Sequence, residues 1–280
     1  MRKITIGIVI LSIIIIGMVI PAGFSGQANS VVITYGETTH ANTNYKSDVD
    51  SFFKSQSNLD LGSAVEKIIT ANDVNKIASS ITGRTYDSSQ VFSSALVNLN
   101  DNDNLEVSVD KAKITTITGD MYLSALKSAG ITNGHVYVTS PVKATGESAL
   151  AGIMNCYEEA TNVEIPETVK EAANKEIYTQ AEVVQESNVS SDKVSKLVDD
   201  VKETVKQENI TDHQTIVNII YNYTVNNNIN ITNSSIENLA NSIEQTQNVQ
   251  GDVSNYENQV TEVLNGTKDT ANDFLGGIFG

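Results

Sequence analysis

The second half of the chain contains three helical segments that follow one another at a fixed interval of 21 residues. They begin after similar tripeptides, Asn188-Val-Ser190, Asn209-Ile-Thr211 and Asn230-Ile-Thr232. Each tripeptide precedes apolar residues spaced i, i+3, i+4 and i+7, the pattern of one helix face. The three stripes are Val194, Leu197, Val198, Val201 and Val205; Ile216, Ile219, Ile220 and Tyr223; and Ile236, Leu239, Ala240 and Ile243. Because the linkers are short, neighbouring helices should run antiparallel, as in a bundle or a stacked helical array.

Local sequence signals predict where the helices of this half start and which of them is central. The capping-box sequences Thr211–Gln214 and Ser234–Glu237 predict where two of the helices start. The middle helix also carries Val217 and Tyr221, so it is apolar over a wider arc and is expected at the centre of the bundle. Further helices are expected over 150–160, after Pro166 and across 253–264.

The first half has a different pattern, in which β-branched runs alternate with helical stretches. Strands are predicted at 31–34, 65–70, 91–99, 105–118 and 135–140, and helices at 73–80 and 120–129. This alternation favours a small sheet covered by helices. The predicted fold is therefore α+β, with a mixed α/β sheet domain over residues 29–145 and an acidic helical domain over residues 146–280.

Charge is distributed unevenly between these halves. Residues 1–145 carry 12 acidic and 11 basic side chains, whereas residues 146–280 carry 22 and 7, so nearly all of the net charge of −16 belongs to the helical half. A nucleic-acid partner is excluded because phosphate binding needs a basic face. The single cysteine, Cys156, excludes an intrachain disulfide and is expected to pack inside the helix over 150–160.

The N-terminus resembles an export signal. Arg2 and Lys3 precede a 17-residue apolar run from Ile4 to Ile20, and Gly26–Ala28 offers small residues for cleavage. A spanning helix needs about 20 apolar residues, so residues 1–28 are read as a signal peptide or as an uncleaved membrane anchor, with a buried core helix as a third interpretation. Either of the first two makes the protein extracytoplasmic: it is secreted, or held at the outer face of the cytoplasmic membrane, and its N-terminal segment contacts the membrane at least transiently.

The sequence lacks the common catalytic and cofactor-binding motifs, which gives little support to an enzyme. The chain has no Gly-x-Gly-x-x-Gly, P-loop, His-Glu-x-x-His or Gly-x-Ser-x-Gly sequence, and no cofactor or metal is expected. The best anion-site candidate is a strand-to-helix junction, comprising Lys143, Thr145, Gly146 and Ser148. Its alternative is an ordinary helix start capped by Thr145 or Ser148.

Other polar clusters have simpler interpretations. The segment 100–104 offers oxygen ligands for calcium but lacks the glycine and distant glutamate of an EF-hand, so a solvated turn is favoured. Glu158 and Glu159 are expected on a solvated face. The histidines are expected to be isolated, at positions 40, 135 and 213.

Asparagine is abundant, with 30 residues, and six of them start Asn-x-Ser/Thr sequences. The six are Asn188, Asn209, Asn222, Asn230, Asn233 and Asn265. In an exported protein these are glycosylation acceptors where the host has the machinery. The alternative is codon bias together with helix capping, and both interpretations can hold together.

Three segments carry a family resemblance: Val31–Gly36, Thr118–Ile131 and, most strongly, Val136–Thr161. On these residues the chain resembles the YpuA-like family of extracytoplasmic proteins, a domain of unknown function, over roughly residues 30 to 245. The resemblance implies export, an α/β domain and a helical tail, and it supplies no catalytic or binding residue. Where the family usually has Thr-Gly, this chain has Thr161-Asn162, and asparagine can also adopt the left-handed conformation.

The favoured function is a non-enzymatic binding or scaffolding module of the cell envelope or surface, with an unknown protein or envelope partner. The alternative is an extracytoplasmic small-ligand-binding or sensory domain that uses a polar pocket between the halves, near residues 141–148. An exposed apolar patch would favour the first function. A third class, a hydrolase, would need paired carboxylates, or a serine and a histidine, that converge in a cleft.

Overall fold

The computed structural model describes residues 30–83, 85–100 and 104–279, and the predicted leader over residues 1–28 lies outside them. The strands are β1 (Val31–Gly36), β2 (Val65–Ile69), β3 (Ser94–Asn98), β4 (Leu105–Val109) and β5 (Gly134–Thr139). The helices of the first part are α1 (Glu37–Ala41), α2 (Thr43–Ser57), α3 (Ala71–Thr82) and α4 (Gly119–Ser128). Those that follow are α5 (Ala149–Thr161), α6 (Glu167–Glu186), α7 (Ser191–Gln207), α8 (His213–Asn226), α9 (Asn233–Asn248) and α10 (Gln250–Phe279).

The five strands form one mixed sheet in the order β2-β1-β3-β5-β4. The outer pairs β1–β2 and β4–β5 are parallel, and β3 is antiparallel to both β1 and β5. On one face, Ile33, Leu96 and Tyr137 form an apolar patch that α2 covers with Val49 and Phe53. The other face packs against α4 and α5. A mixed sheet followed by helices confirms the predicted α+β class.

Helix α5 lies very close to the sheet because it presents small residues there. A Cβ atom on Gly152 would lie 2.6 Å from Thr34 Oγ1, so only glycine fits without a shift. One turn later Cys156 is fully buried, with its Sγ 3.5 Å from the carbonyl oxygen of Val32. Burial raises the pKa of the Cys156 thiol to about 12, so the thiol is a packing group, as expected.

Helix α6, and not α8, is the centre of the helical part. It packs against α3, α4, α5, α7, α9 and α10, whereas the principal neighbours of α8 are α7 and α9. The prediction that α8 lies at the centre of the bundle is therefore wrong. Its wide apolar arc reaches solvent at Tyr221 and Val225, while the alanines of α6 let several helices approach it closely. The main apolar cluster takes side chains from both sides of residue 145.

Two predicted helix starts are also wrong by one or two residues. The N-cap of α8 is Asp212, whose carboxylate accepts from the backbone N–H of Thr215, and not Thr211. The N-cap of α9 is Thr232, whose hydroxyl accepts from the N–H of Ser235, and not Ser234. Carboxylate and hydroxyl caps are close in energy, so a capping-box sequence alone does not choose among adjacent candidates.

Two further differences concern the first part. Helix α2 is not among the predicted helices. The features of the sequence that indicate it are the N-cap residue Asn42 and the apolar pair Val49 and Phe53. Strand β4 ends at Val109 instead of continuing to residue 118, because the Asp110 carbonyl accepts from the backbone N–H groups of two later residues and turns the chain. Asn162 ends α5 at φ +53°, which confirms the left-handed position expected there.

Candidate functional site

Two of the three repeated tripeptides face each other across a cleft of about 680 Å³. Each repeat unit contains one helix, so in an up-and-down array alternate linkers lie at the same end. The α6–α7 and α8–α9 linkers therefore meet, and the α7–α8 linker, with Asn209, lies at the opposite end. The cleft is lined by residues 186–190, Lys193, residues 228–232 and Ser235.

The cleft lining is rich in neutral polar groups. Asn188, Asn228 and Asn230 are exposed, and within the described residues their side chains have no hydrogen-bond partner. Ser190 is the N-cap of α7, yet its hydroxyl makes no capping bond. The two charged residues, Glu186 and Lys193, have opposite signs. The cleft therefore presents unused donors and acceptors with little net charge.

Helix α8 leads into this cleft and carries an exposed apolar pair. Tyr221 is 53% and Val225 58% exposed, and they lie one helical turn apart. Val217, one turn earlier on the same side, is largely buried. Among the described residues, the other large apolar side chain that is exposed is Ile68, at 43%, on strand β2. Tyr221 and Val225 differ from it because they are adjacent, so together they are a candidate contact surface. We call Tyr221 and Val225 the α8 apolar pair.

A buried polar network joins the sheet half to the helical half. Glu176 of α6 is 1% exposed, and its two carboxylate oxygens lie 2.8 and 3.0 Å from Lys202 Nζ of α7. On α4, Ser128 donates to the same carboxylate at 2.9 Å, and Ser124 Oγ accepts from Lys202 at 2.9 Å. Burial raises the pKa of Asp199, which accepts a hydrogen bond from Ser124. The members of this network are far apart in the chain, so no sequence pattern predicts it.

The four residues of the predicted anion site are in different environments. Lys143 and Thr145 are exposed, whereas Gly146 is buried at φ +111° and its carbonyl accepts from the Tyr122 hydroxyl. Ser148 is the N-cap of α5 but makes no side-chain capping bond. Between them the Glu147 carboxylate is buried, 3.2 Å from Gln185 Nε2. A buried carboxylate opposes an anion at this junction, and anion binding stays a prediction.

Strands β4 and β5 bring a serine, a histidine and a glutamate together. Ser108 Oγ lies 2.9 Å from His135 Nε2, and Glu106 Oε2 lies 3.6 Å from His135 Nδ1. The Tyr137 hydroxyl lies closer to Nδ1, at 3.1 Å, and the Tyr137 ring stacks on the imidazole. Burial lowers the pKa of His135 below its ordinary value of 6.5, which favours the neutral ring at pH 7. The expectation of an isolated His135 is therefore wrong.

Three other groups expected to be isolated or solvated have partners. His213 lies between two carboxylates of α9, with Nδ1 2.9 Å from Glu244 and Nε2 3.0 Å from Glu237. Glu158 is ion-paired with Lys170 and accepts the backbone N–H of Ile165, while Glu159 is paired with Lys67. Sequence spacing could not show these pairs, because the partners lie on other elements.

The His213 bridge predicts a pH-dependent stability. The hydrogen bonds to Glu237 and Glu244 raise the pKa of His213 above its ordinary value of 6.5. The stabilisation is therefore complete below pH 6.5 and is lost as the pH rises through the higher folded-state pKa. We expect His213→Gln to reduce the urea midpoint at pH 5.5 more than at pH 8.5. His40→Gln, at an exposed histidine, is the control, and an equal effect of His213→Gln at both pH values contradicts the bridge.

The Asn-x-Ser/Thr positions are spread over the helical half. Asn188 and Asn230 lie in the cleft, Asn209 lies in the α7–α8 linker just after α7 at φ +52°, Asn222 is exposed on α8, and Asn233 begins α9. The side chain of Asn265 lies outside what the structure describes. Glycosylation stays a prediction.

The described residues show neither a metal-ion cluster nor a membrane-spanning helix. Within residues 30–83, 85–100 and 104–279, no group of three or more His, Cys, Asp or Glu side chains is placed to hold a metal ion. Asp101 and Asp103 of the candidate calcium turn lie outside these ranges. None of the helices in the described segments has both the length and the apolar character needed to span a bilayer.

The chain is similar to proteins whose function has not been determined. The sequence profile of the family described as "Protein of unknown function (DUF1002)" matches residues 35–263, which is most of the chain. "Uncharacterized protein YpuA" of Bacillus subtilis (strain 168) is 28% identical over 170 residues, which cover 60% of this chain and 57% of that protein. The match thus spans little more than half of the relative's length. No solved structure matches the chain. Because the profile covers strands β2 to β5 and helices α1 to α9, the chain belongs to the family of unknown function DUF1002.

Proposed function

We propose that this protein is an extracytoplasmic binding or scaffolding module, secreted or held at the outer face of the cytoplasmic membrane by its leader. The leader at residues 4–20 and the strongly acidic, cysteine-poor body support export. Strand β1 begins at Val31, so the sheet starts just after the leader. The module acts through contacts with an envelope or protein partner.

The observation that carries this proposal is the α8 apolar pair. Tyr221 combines a large apolar ring with a polar hydroxyl, and tyrosine is enriched where proteins bind one another. Val225 extends the apolar surface by one turn. The neighbouring helices α7 and α9 leave this side of α8 uncovered. We therefore infer that a binding partner buries it.

A hydrolytic role for Ser108 and His135 is less well supported. In a catalytic triad the carboxylate orients the imidazole through Nδ1, but here the Tyr137 hydroxyl is nearer to Nδ1 than Glu106 is. Glu106 is also 60% exposed on its side chain, so solvent weakens its effect on the histidine. Neither the 680 Å³ cleft nor the smaller one beside Lys76 and Lys170 includes this pair.

Site-specific photo-cross-linking in the native host tests the proposal. A benzophenone amino acid at Tyr221 or Val225 should form a discrete adduct with a partner, because both side chains are exposed. The control position is Gln214, which is exposed near the start of the same helix. Absence of an adduct at both positions, or equal adducts at Gln214, would contradict a contact role for this surface.

A second candidate function is small-ligand binding, and the cleft between the two linkers favours it. The expected location was the junction at residues 141–148, but the 680 Å³ cleft is lined by residues 186–193 and 228–235. Its volume is in the range of typical ligand sites. This function and the contact surface on α8 are compatible, because α8 leads into the cleft.

A further inference from the structure

We propose that the cleft between the α6–α7 and α8–α9 linkers binds a neutral, polyhydroxylated ligand, a short segment of glycan. The assignment concerns a different surface from the α8 apolar pair. It depends on export only for where the protein would meet such a ligand, and its test does not require export.

The amide and hydroxyl groups of the cleft match the hydrogen-bonding groups of a sugar. Each asparagine amide offers two N–H donors and one acceptor oxygen, and each serine hydroxyl both donates and accepts. Sugar hydroxyls have the same dual character, so adjacent hydroxyls can pair with one amide. Asn188 and Ser190 on one linker and Asn228 and Asn230 on the other supply such groups. None of these side chains has a hydrogen bond to another described residue, so binding would break no intramolecular bond.

The charges of the cleft favour a neutral ligand. Glu186 and Lys193 balance one another, and Lys193 is the single cation of the lining. The chain carries a net charge of −16, which repels anionic ligands at a distance. A phosphate or carboxylate ligand would normally be held by several cations or by a guanidinium fork, which this lining lacks. Neutral hydroxyl and amide chemistry therefore fits the site best.

Apolar side chains of the cleft also match a sugar ring. Val189, Ile229 and Ile231 also line the cleft; Val189 and Ile231 are half-buried and keep accessible apolar surface, whereas Ile229 is almost fully buried. A sugar ring has C–H faces as well as hydroxyl edges, so the aliphatic side chains can pack on the ring while the amides bind its edge. A peptide would instead require deeper pockets or large apolar side chains to anchor alternate residues. The small, branched side chains here favour the glycan.

Calorimetric titration of the full chain tests this inference. The protein is made in a host without glycosylation machinery, because a glycan attached to Asn188 or Asn230 would occupy the cleft. It is kept in a detergent without a sugar headgroup. The probes are tetramers of N-acetylglucosamine, of β-linked glucose and of α-linked glucose. We expect saturable binding of at least one of them, weakened about tenfold or more by Asn188→Ala with Asn230→Ala, since each amide makes one or two bonds.

The control is Asn222→Ala, which removes an exposed asparagine of the same Asn-x-Ser/Thr type outside the cleft. It should leave binding unchanged. Ser190→Ala provides a second cleft variant, and its hydroxyl makes no capping bond whose loss would destabilise α7. No saturable binding of any probe up to about 10 mM would overturn the inference. Binding that survives the double substitution, or binding of a tetrapeptide pool in place of the sugars, would also overturn it.

Discussion

Replacing Lys202 by methionine should lower the free energy of unfolding by about 3–5 kcal/mol, because it leaves a buried carboxylate without its cation. Glu176 is 1% exposed and receives two hydrogen bonds from the Lys202 ammonium. Methionine keeps much of the volume of the lysine stem, so the lost charge is the main change. Urea unfolding at neutral pH measures the effect.

Lys196→Met on the same helix is the matched control. Lys196 forms an i,i+4 ion pair with Asp200 and is mostly exposed, so solvent screens the pair and its loss should leave the urea midpoint nearly unchanged. Adding Glu176→Gln to Lys202→Met removes both charges and should recover part of the loss. If Lys202→Met costs no more than Lys196→Met, the buried pair does not hold α4, α6 and α7 together.

Replacing Gly152 by leucine should destabilise the protein by about 1–3 kcal/mol or more, because it forces α5 away from the sheet. Even a Cβ atom there would lie 2.6 Å from Thr34 Oγ1, and Thr34 is fully buried in β1. Thermal unfolding of the variant measures the loss.

Ala151→Leu is the control for this substitution. Ala151 is the preceding residue of α5, is partly exposed, and lines a small cleft that can accept a larger side chain. It should therefore be tolerated far better than the change at Gly152. Equal losses of stability at the two positions would show that the close approach of α5 to β1 is not the constraint.

The segment that most resembles the family contains several residues that pack α5 against the sheet. Within Val136–Thr161, Gly152 and Cys156 bring α5 against β1, and Asn162 just beyond ends the helix in the left-handed conformation. Tyr157 donates to the carbonyl of Asn133 and closes the turn before β5. Each of these residues makes a packing or hydrogen-bond contact within the fold.

The periodic elements could be predicted from the sequence, and the central helix could not. The stripes that start at Val194 and Ile236 are buried on α7 and α9 as predicted. On α8, Ile216 and Ile220 are buried, whereas Ile219 and Tyr223 of the predicted stripe are half-buried. Helix α6 is central because alanine and other small residues let neighbours approach on several sides, a property that hydrophobic periodicity does not record. Periodicity identifies a buried face but not the number of helices that will cover it.

The candidate site depends on tertiary contacts between distant segments. The repeat itself is visible in the sequence, where its Asn-x-Ser/Thr tripeptides predict helix caps or glycosylation acceptors. That Asn188 and Asn230 share one cleft while Asn209 lies at the other end follows only from the up-and-down order of the helices. The pairing of Lys202 with Glu176 likewise joins two helices whose sequences show no sign of it.

The most direct test of the central claim is intact mass spectrometry of the native protein from fractionated cells. The account predicts that the protein is found in the secreted or membrane fraction. A secreted form should be lighter than 30.2 kDa by the mass of the leader, and a form held by an uncleaved anchor should have the full mass in the membrane fraction. A full-length protein dissolved in the cytosolic fraction would contradict the account.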